Sequence, residues 1–160
     1  MSHSFVSRIN LTLFFLAVAA CGAANAASGC NQPPIPTAGQ TVTWTTAGSP
    51  YQVCADLVIP KGGTVIVQPG VLVEFQGHMV SVVGAVKAQG SSASPIVITA
   101  QGVFPPAFEL AGGSLTMTFA NIAGQIRSGP GKLTFTDSTF TGPNGLLLTL
   151  DVLLPSNPPV

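Results

Sequence analysis

The chain has 160 residues, a formal net charge of zero and only 6% charged side chains, against about 25% in an ordinary soluble domain. That length leaves room for one domain, and the charge leaves no basic footprint of the kind nucleic acid demands. Beyond the first thirty residues no apolar run approaches the roughly 20 residues that cross a bilayer as a helix.

Residues 1–26 read as an export signal: Arg8 supplies the charged start, Leu11 to Ala20 form the apolar stretch, and small residues follow. Two cleavage sites compete. Ala24-Asn25-Ala26 is an A-x-A site that would start the mature chain at Ala27. Val18-Ala19-Ala20-Cys21-Gly22 instead resembles the lipobox of bacterial lipoproteins, which would make Cys21 an acylated first residue and the lipid anchor. Either way the protein is expected outside the cytoplasm: periplasmic, at the cell surface or secreted. Membrane attachment, to the outer membrane, would come only through Cys21.

Cys30 and Cys54 remain after either cleavage, and an even pair in an exported chain predicts a disulfide. Closing that loop is worth about 3 kcal/mol in the chain-entropy model. A metal site is less well supported, because only His78 could join them and no C-x-x-C spacing exists. The segment inside the loop is rich in proline (Pro33, Pro34, Pro36), then reads T-V-T-W-T-T before Gly48-Ser49-Pro50-Tyr51.

From Leu57 to Ala100 the chain alternates in short apolar runs broken by Gly and Pro, the pattern of half-buried strands. Val65 and Val67 alternate, Pro69-Gly70 turns the chain, and Val71, Val73 and Phe75 alternate again. Val80 and Val82, then Val86 and Ala88, repeat the scheme past Gly84, and Ser91 to Pro95 lead into Ile96 and Ile98. The equal offsets from Val65 to Val80 and from Val71 to Val86 superimpose the segments as an internal repeat. A short unit cannot bury its own apolar face, so repeats of this kind stack.

The run G-G-T-V-I-V-Q-P-G-V-L-V-E-F, then V-S-V-V-G-A-V-K-A-Q-G and P-I-V-I-T, resembles the opening coils of right-handed parallel β-helix proteins of the pectate-lyase-like superfamily. The resemblance implies an all-β chain forming a single right-handed parallel β-helix, a solenoid of about 4–5 coils with an N-terminal cap. On this reading the cap occupies 27–56, the β-helix 57–154 and a Pro-rich tail 155–160. It implies that Val65, Val67, Val71, Val73, Phe75, Val80, Val82, Val86, Ala88, Ile96 and Ile98 face inward. It also makes Trp44 a cap residue closing the open first coil, with sugar stacking as the alternative. Ile66, Leu72, Val83 and Val97 break the expected polar outer face, and an outward Ile66/Leu72/Val83 strip or an open C-terminal end is where a partner would dock.

Past Ala100 the repeats loosen. Phe104-Pro105-Pro106 reads as a corner, and Leu115, Met117 and Phe119 alternate inward, followed by Ile122 and Ile126. Gly129-Pro130-Gly131 restarts a coil with Leu133 and Phe135, then Phe140, with Leu133 placed one coil above Leu115. Leu146 to Leu154 reads as a final coil or an end cap.

The chemistry is sparse. The mature acids are Asp56, Glu74, Glu109, Asp137 and Asp151; the bases are Lys61, Lys87, Arg127 and Lys132. A lyase needs clustered carboxylates for a cation with a basic residue beside them, and a glycosidase needs carboxylates converging on one bond. Asp56 and Glu74 fall in separate strands, while Asp137 and Arg127 fall on adjacent late segments. T-x-T pairs at Thr41/Thr43/Thr45, Thr116/Thr118, Thr134/Thr136 and Thr139/Thr141 resemble the ladders of some ice-binding proteins, but they skip the most regular coils. The sequence therefore points to a non-catalytic structural or adhesion-type module of the cell envelope or surface. Its partner would be a polysaccharide or another envelope protein, with no metal or organic cofactor implied. The alternative is a minimal polysaccharide lyase or glycoside hydrolase on the same fold.

Overall fold

The structure, a computed structural model, describes residues 29–100 and 107–141. The signal segment, Cys21, Phe104 to Pro106, Asp151, the Leu146–Leu154 run and the Pro-rich tail lie outside the described residues.

The alternating runs fold as short strands: β1 Thr41–Trp44, β2 Tyr51–Val53, β3 Leu57–Ile59, β4 Thr64–Val67, β5 Leu72–Phe75, β6 Val80–Val82 and β7 Ala85–Gln89. They continue as β8 Ile96–Ala100, β9 Phe108–Leu110, β10 Ser114–Thr118, β11 Ala120–Ala123, β12 Ile126–Arg127, β13 Lys132–Thr136 and β14 Thr139–Phe140. Every pairing is parallel and joins a strand to the one three places later in the chain. Three sheets result: A is β1-β4-β7-β10-β13, B is β2-β5-β8-β11-β14, and C is β3-β6-β9-β12. Each of the first four rungs thus visits A, B and C in turn, and each rung stacks on the last, which is a parallel β-helix. Parallel strands need such a crossover because no hairpin can join them.

Burial follows strand parity. All eleven residues expected to face inward, from Val65 to Ile98, are buried. They stack in columns through the rungs, with Val65 on Val86 on Leu115 on Leu133, and Trp44 on Val67 on Ala88 on Met117 on Phe135. Phe75 of sheet B meets Phe108 of sheet C edge-on, with centroids 5.2 Å apart. Aromatic pairs favour that geometry.

Four sequence expectations change. The repeat seen between Val65 and Val80 is not the stacking repeat: Val65 pairs with Val86, and Val80 belongs to sheet C with Leu57 and Phe108. Strands of equal parity look alike in sequence whichever sheet they join. Next, the first rung starts at Thr41, inside the segment assigned to the cap, because β1 and β2 pair with β4 and β5. Phe119 does not point inward; it is half-buried at φ 48° and turns the chain from sheet A to sheet B. Lastly, Ile66, Leu72 and Val83 form no strip, since they fall on sheet A, on sheet B and at the corner between sheets C and A.

The N-terminal end is closed by residues 31–40. Pro33 and Pro36 are buried, and a proline covering a strand edge has no N–H left unpaired. Trp44 is fully buried, and its Nε1–H donates to the Pro34 carbonyl at 2.8 Å. It closes this end from inside, and burial removes the ring face a sugar would need. Cys30 and Cys54 form the disulfide, with Cα atoms 6.5 Å apart, and beside it the Gln52 N–H donates to the Asn31 carbonyl at 2.8 Å.

Candidate functional site

Three of the carboxylates join one rung to the next. Asp56, in the corner before β3, accepts from the Met79 N–H at 3.0 Å and lies 3.3 Å from His78 Nδ1 on the following rung. Glu74 of β5 accepts from Gln52 Nε2 of β2 at 3.2 Å. Glu109 of β9 accepts from Arg127 of β12 at 3.2 Å. Arg127 and Asp137 fall on adjacent late segments, and sheet C places Arg127 directly on Glu109. Asp137 is instead a corner residue at φ 48°, at the same place on its rung as Phe119 on the rung before. Asp tolerates this left-handed region better than most residues. Among the described residues no three His, Cys, Asp or Glu side chains gather into a metal-binding group.

Sheet A presents a different surface. Its outward columns are Thr41–Thr64–Ala85–Ser114–Lys132, Thr43–Ile66–Lys87–Thr116–Thr134 and Gln89–Thr118–Thr136. The threonines of β1, β10 and β13 therefore do share one face, but Ile66 and Lys87 interrupt the ladder between them, and Thr139 falls on sheet B. No strand of sheet A carries a carboxylate. Lys61, Lys87 and Lys132 are exposed and form no ion pair with a described residue.

Beside the first column, at the corner between sheets C and A, runs an open trough of about 310 Å³. Gly62, Gly63, Gly84, Gly112 and Gly113 line it together with Thr64, Val83, Ala85 and Ser114. Gly84 and Gly113 are there because adjacent rungs approach closely, whereas Gly62 and Gly112 turn the chain at φ +80° and +100°. A β-carbon on Gly84 would overlap the Gly63 and Pro60 carbonyl oxygens, and one on Gly113 would overlap those of Gly84 and Val82. The absence of side chains leaves a channel crossing three rungs. Reading the residues singly missed it, although a signal was present: the doublets Gly62-Gly63 and Gly112-Gly113 each stand before a sheet A strand. A second groove, of about 650 Å³, borders the Glu109–Arg127 pair and Ser128 to Pro130.

Comparisons with protein-family models, with curated proteins and with solved structures find no match.

Proposed function

We propose that the protein is an exported, non-catalytic structural or adhesion-type β-helix module of the cell envelope or surface. The observation that supports this reading most is the use made of its carboxylates. Asp56, Glu74 and Glu109 each bind a group on a neighbouring rung, so they act as ties along the solenoid. Catalysis on a polysaccharide calls for carboxylates that converge on one bond or one cation. The Cys30–Cys54 disulfide fits an oxidising compartment. A polysaccharide or another envelope protein is the partner class that suits a repetitive, weakly charged face.

Two measurements test this. Incubation of the purified protein with acidic and neutral polysaccharides, across pH and with calcium, is expected to leave polymer chain length unchanged. Shortened chains would replace this reading with the lyase or hydrolase alternative and direct attention to Glu109 and Arg127, which border the larger groove. Intact mass of the exported protein is expected to give a chain beginning at Ala27. A lipid on Cys21 would make it an anchored lipoprotein, and uncleaved cytoplasmic protein would overturn the export part of the reading.

A further inference from the structure

The N-terminal cap treats the first edges of sheets A and B differently. In a parallel ladder the backbone groups of alternate residues point to opposite neighbours. In sheet B the Val53 carbonyl accepts from the Gln76 N–H, so Tyr51 and Val53 face β5 while Gln52 and Cys54 face the open end. The cap takes both of those donors: the Gln52 N–H donates to the Asn31 carbonyl at 2.8 Å, and the Cys54 N–H to Gln32 Oε1 at 3.2 Å. In sheet A the Gln40 and Trp44 carbonyls accept from the Thr64 and Gln68 N–H groups at 2.9 and 3.0 Å, so Val42 and Trp44 face β4. The N–H and C=O of Thr41 and Thr43 therefore point to the open end, and no described residue bonds them. The row stops at Thr45, whose N–H donates to Tyr51 Oη at 3.0 Å.

This edge also lacks the usual protection. Edge strands are commonly blunted by charge, proline, a bulge or a covering segment. Thr41–Trp44 carries neither charge nor proline, and its register with β4 runs unbroken. Thr41 and Thr43 are exposed, and the inward Val42 between them is only half-buried. The edge thus offers two donors and two acceptors in a row, with an apolar position at its middle. Backbone groups repeating about every 6.6 Å, two residues of a strand, match one ligand class, an extended polypeptide. A second solenoid is the wrong shape for this end. Ile35 packs against the core and Pro33 and Pro36 are buried across its opening, where another rung would have to stand. A lone strand beside the cap needs no such room.

We propose that the open edge of β1 binds an extended segment of another polypeptide, which adds to sheet A as a further strand. The backbone of Thr41 and Thr43 supplies the hydrogen bonds. Val42 selects an apolar residue on the inward side of the segment, and polar residues lie outward in line with Thr41 and Thr43. Residues 31–44 hold no charged side chain, so the segment that fits is uncharged. This rests on the reading of the protein as an adhesion-type module, and it selects a polypeptide over a polysaccharide as the partner at this edge.

The probe is an end-blocked peptide of alternating valine and threonine, about six residues long as strands commonly are. It is titrated into the full mature chain and followed by amide hydrogen exchange. In the free protein the Thr41 and Thr43 amides should exchange fast while Val42 and Trp44 are protected; the peptide should protect Thr41 and Thr43. In an extended peptide the valine and threonine N–H groups lie on opposite edges, so N-methylation of one set should weaken binding about tenfold and of the other set should not, each lost bond being worth a few-fold. Thr43→Pro removes an outward donor and leaves the ladder to β4, a place where an edge strand tolerates proline, and should also bind about tenfold more weakly. If that variant fails to fold, the methylated peptides still decide. No binding, equal binding of the two methylated peptides, or full binding by Thr43→Pro would each overturn the proposal. So would Thr41 and Thr43 amides already protected in the free chain, whether sedimentation shows a monomer or a dimer. None of these results bears on polymer cleavage, so the non-catalytic reading would stand; shortened polysaccharide would strike that reading and not the open edge.

Discussion

Gly84 lies against the carbonyl oxygen of Gly63 on the rung before it, with no room between them for a β-carbon. The obstacle is backbone on both sides, so neither a rotamer change nor a side-chain shift can relieve it. Gly84→Ala is expected to destabilise the fold by about 2–3 kcal/mol, the upper part of the range for overpacking. Gly77→Ala is the control: its site is open, with only the φ of +77° against it, and the cost should be about 1 kcal/mol. Urea unfolding of the two variants measures the difference. Equal costs would mean that the rungs separate easily at this corner.

Asp137 and Phe119 occupy equivalent corners at φ 48°. Asp137→Asn should be close to neutral, because Asn accepts the left-handed region as readily. Asp137→Val should cost about 1–2 kcal/mol, since a β-branched residue is strained there. Thermal melts of the two variants test this. A loss of function in Asp137→Asn without loss of stability would give the carboxylate a role beyond the turn.

Trp44, the single tryptophan, is buried with its indole N–H bonded to the Pro34 carbonyl. Its fluorescence should be blue-shifted and resist iodide quenching until the protein unfolds. Trp44→Phe removes the donor and leaves unfilled volume, which should cost about 2–3 kcal/mol. Red-shifted, quenchable emission from the folded protein would contradict the closed N-terminal end.

Replacing Cys30 and Cys54 together by serine should lower stability by about 3 kcal/mol. The effect should be largest where the tie acts. The Gln52 amide, which donates to the Asn31 carbonyl, is expected to lose most of its hydrogen-exchange protection, while the Val86 amide in the third rung keeps its own. Uniform loss along the solenoid would show that the rungs unfold as one unit.

Glu109→Gln should change stability by less than about 1 kcal/mol, since the pair with Arg127 is partly solvent-exposed and screened. High salt should erase much of the difference from the parent protein, as seen in urea unfolding. A cost of several kcal/mol at all salt concentrations would mean that the pair holds the rungs more tightly than solvent exposure allows.

Period-two alternation told inside from outside, and it did so well: Val65, Val67, Val71, Val73 and Phe75 are buried as their spacing demands. The cause is local, because parity along a strand decides which face a side chain takes. Phe119 broke the rule where the backbone leaves the strand, and nothing in S-L-T-M-T-F-A marks the turn. Cys30 and Cys54 were legible as a pair because both lie beyond the apolar start of the chain.

What the local pattern could not carry was the pairing of one strand with another. Val42 stacks on Val65, Val65 on Val86, Val86 on Leu115 and Leu115 on Leu133, and corners of unequal length separate them. Only the hydrogen-bonded register of whole rungs assigns Val80 to sheet C, brings Arg127 onto Glu109 and gathers the threonines with Lys87 and Lys132 on one face. The sequence by itself determined the strands, their inward side chains and the stacked class of fold. The tertiary structure decided which residues share a surface, because columns on a β-helix are made of residues from different rungs, and the spacing between rungs is set by their corners.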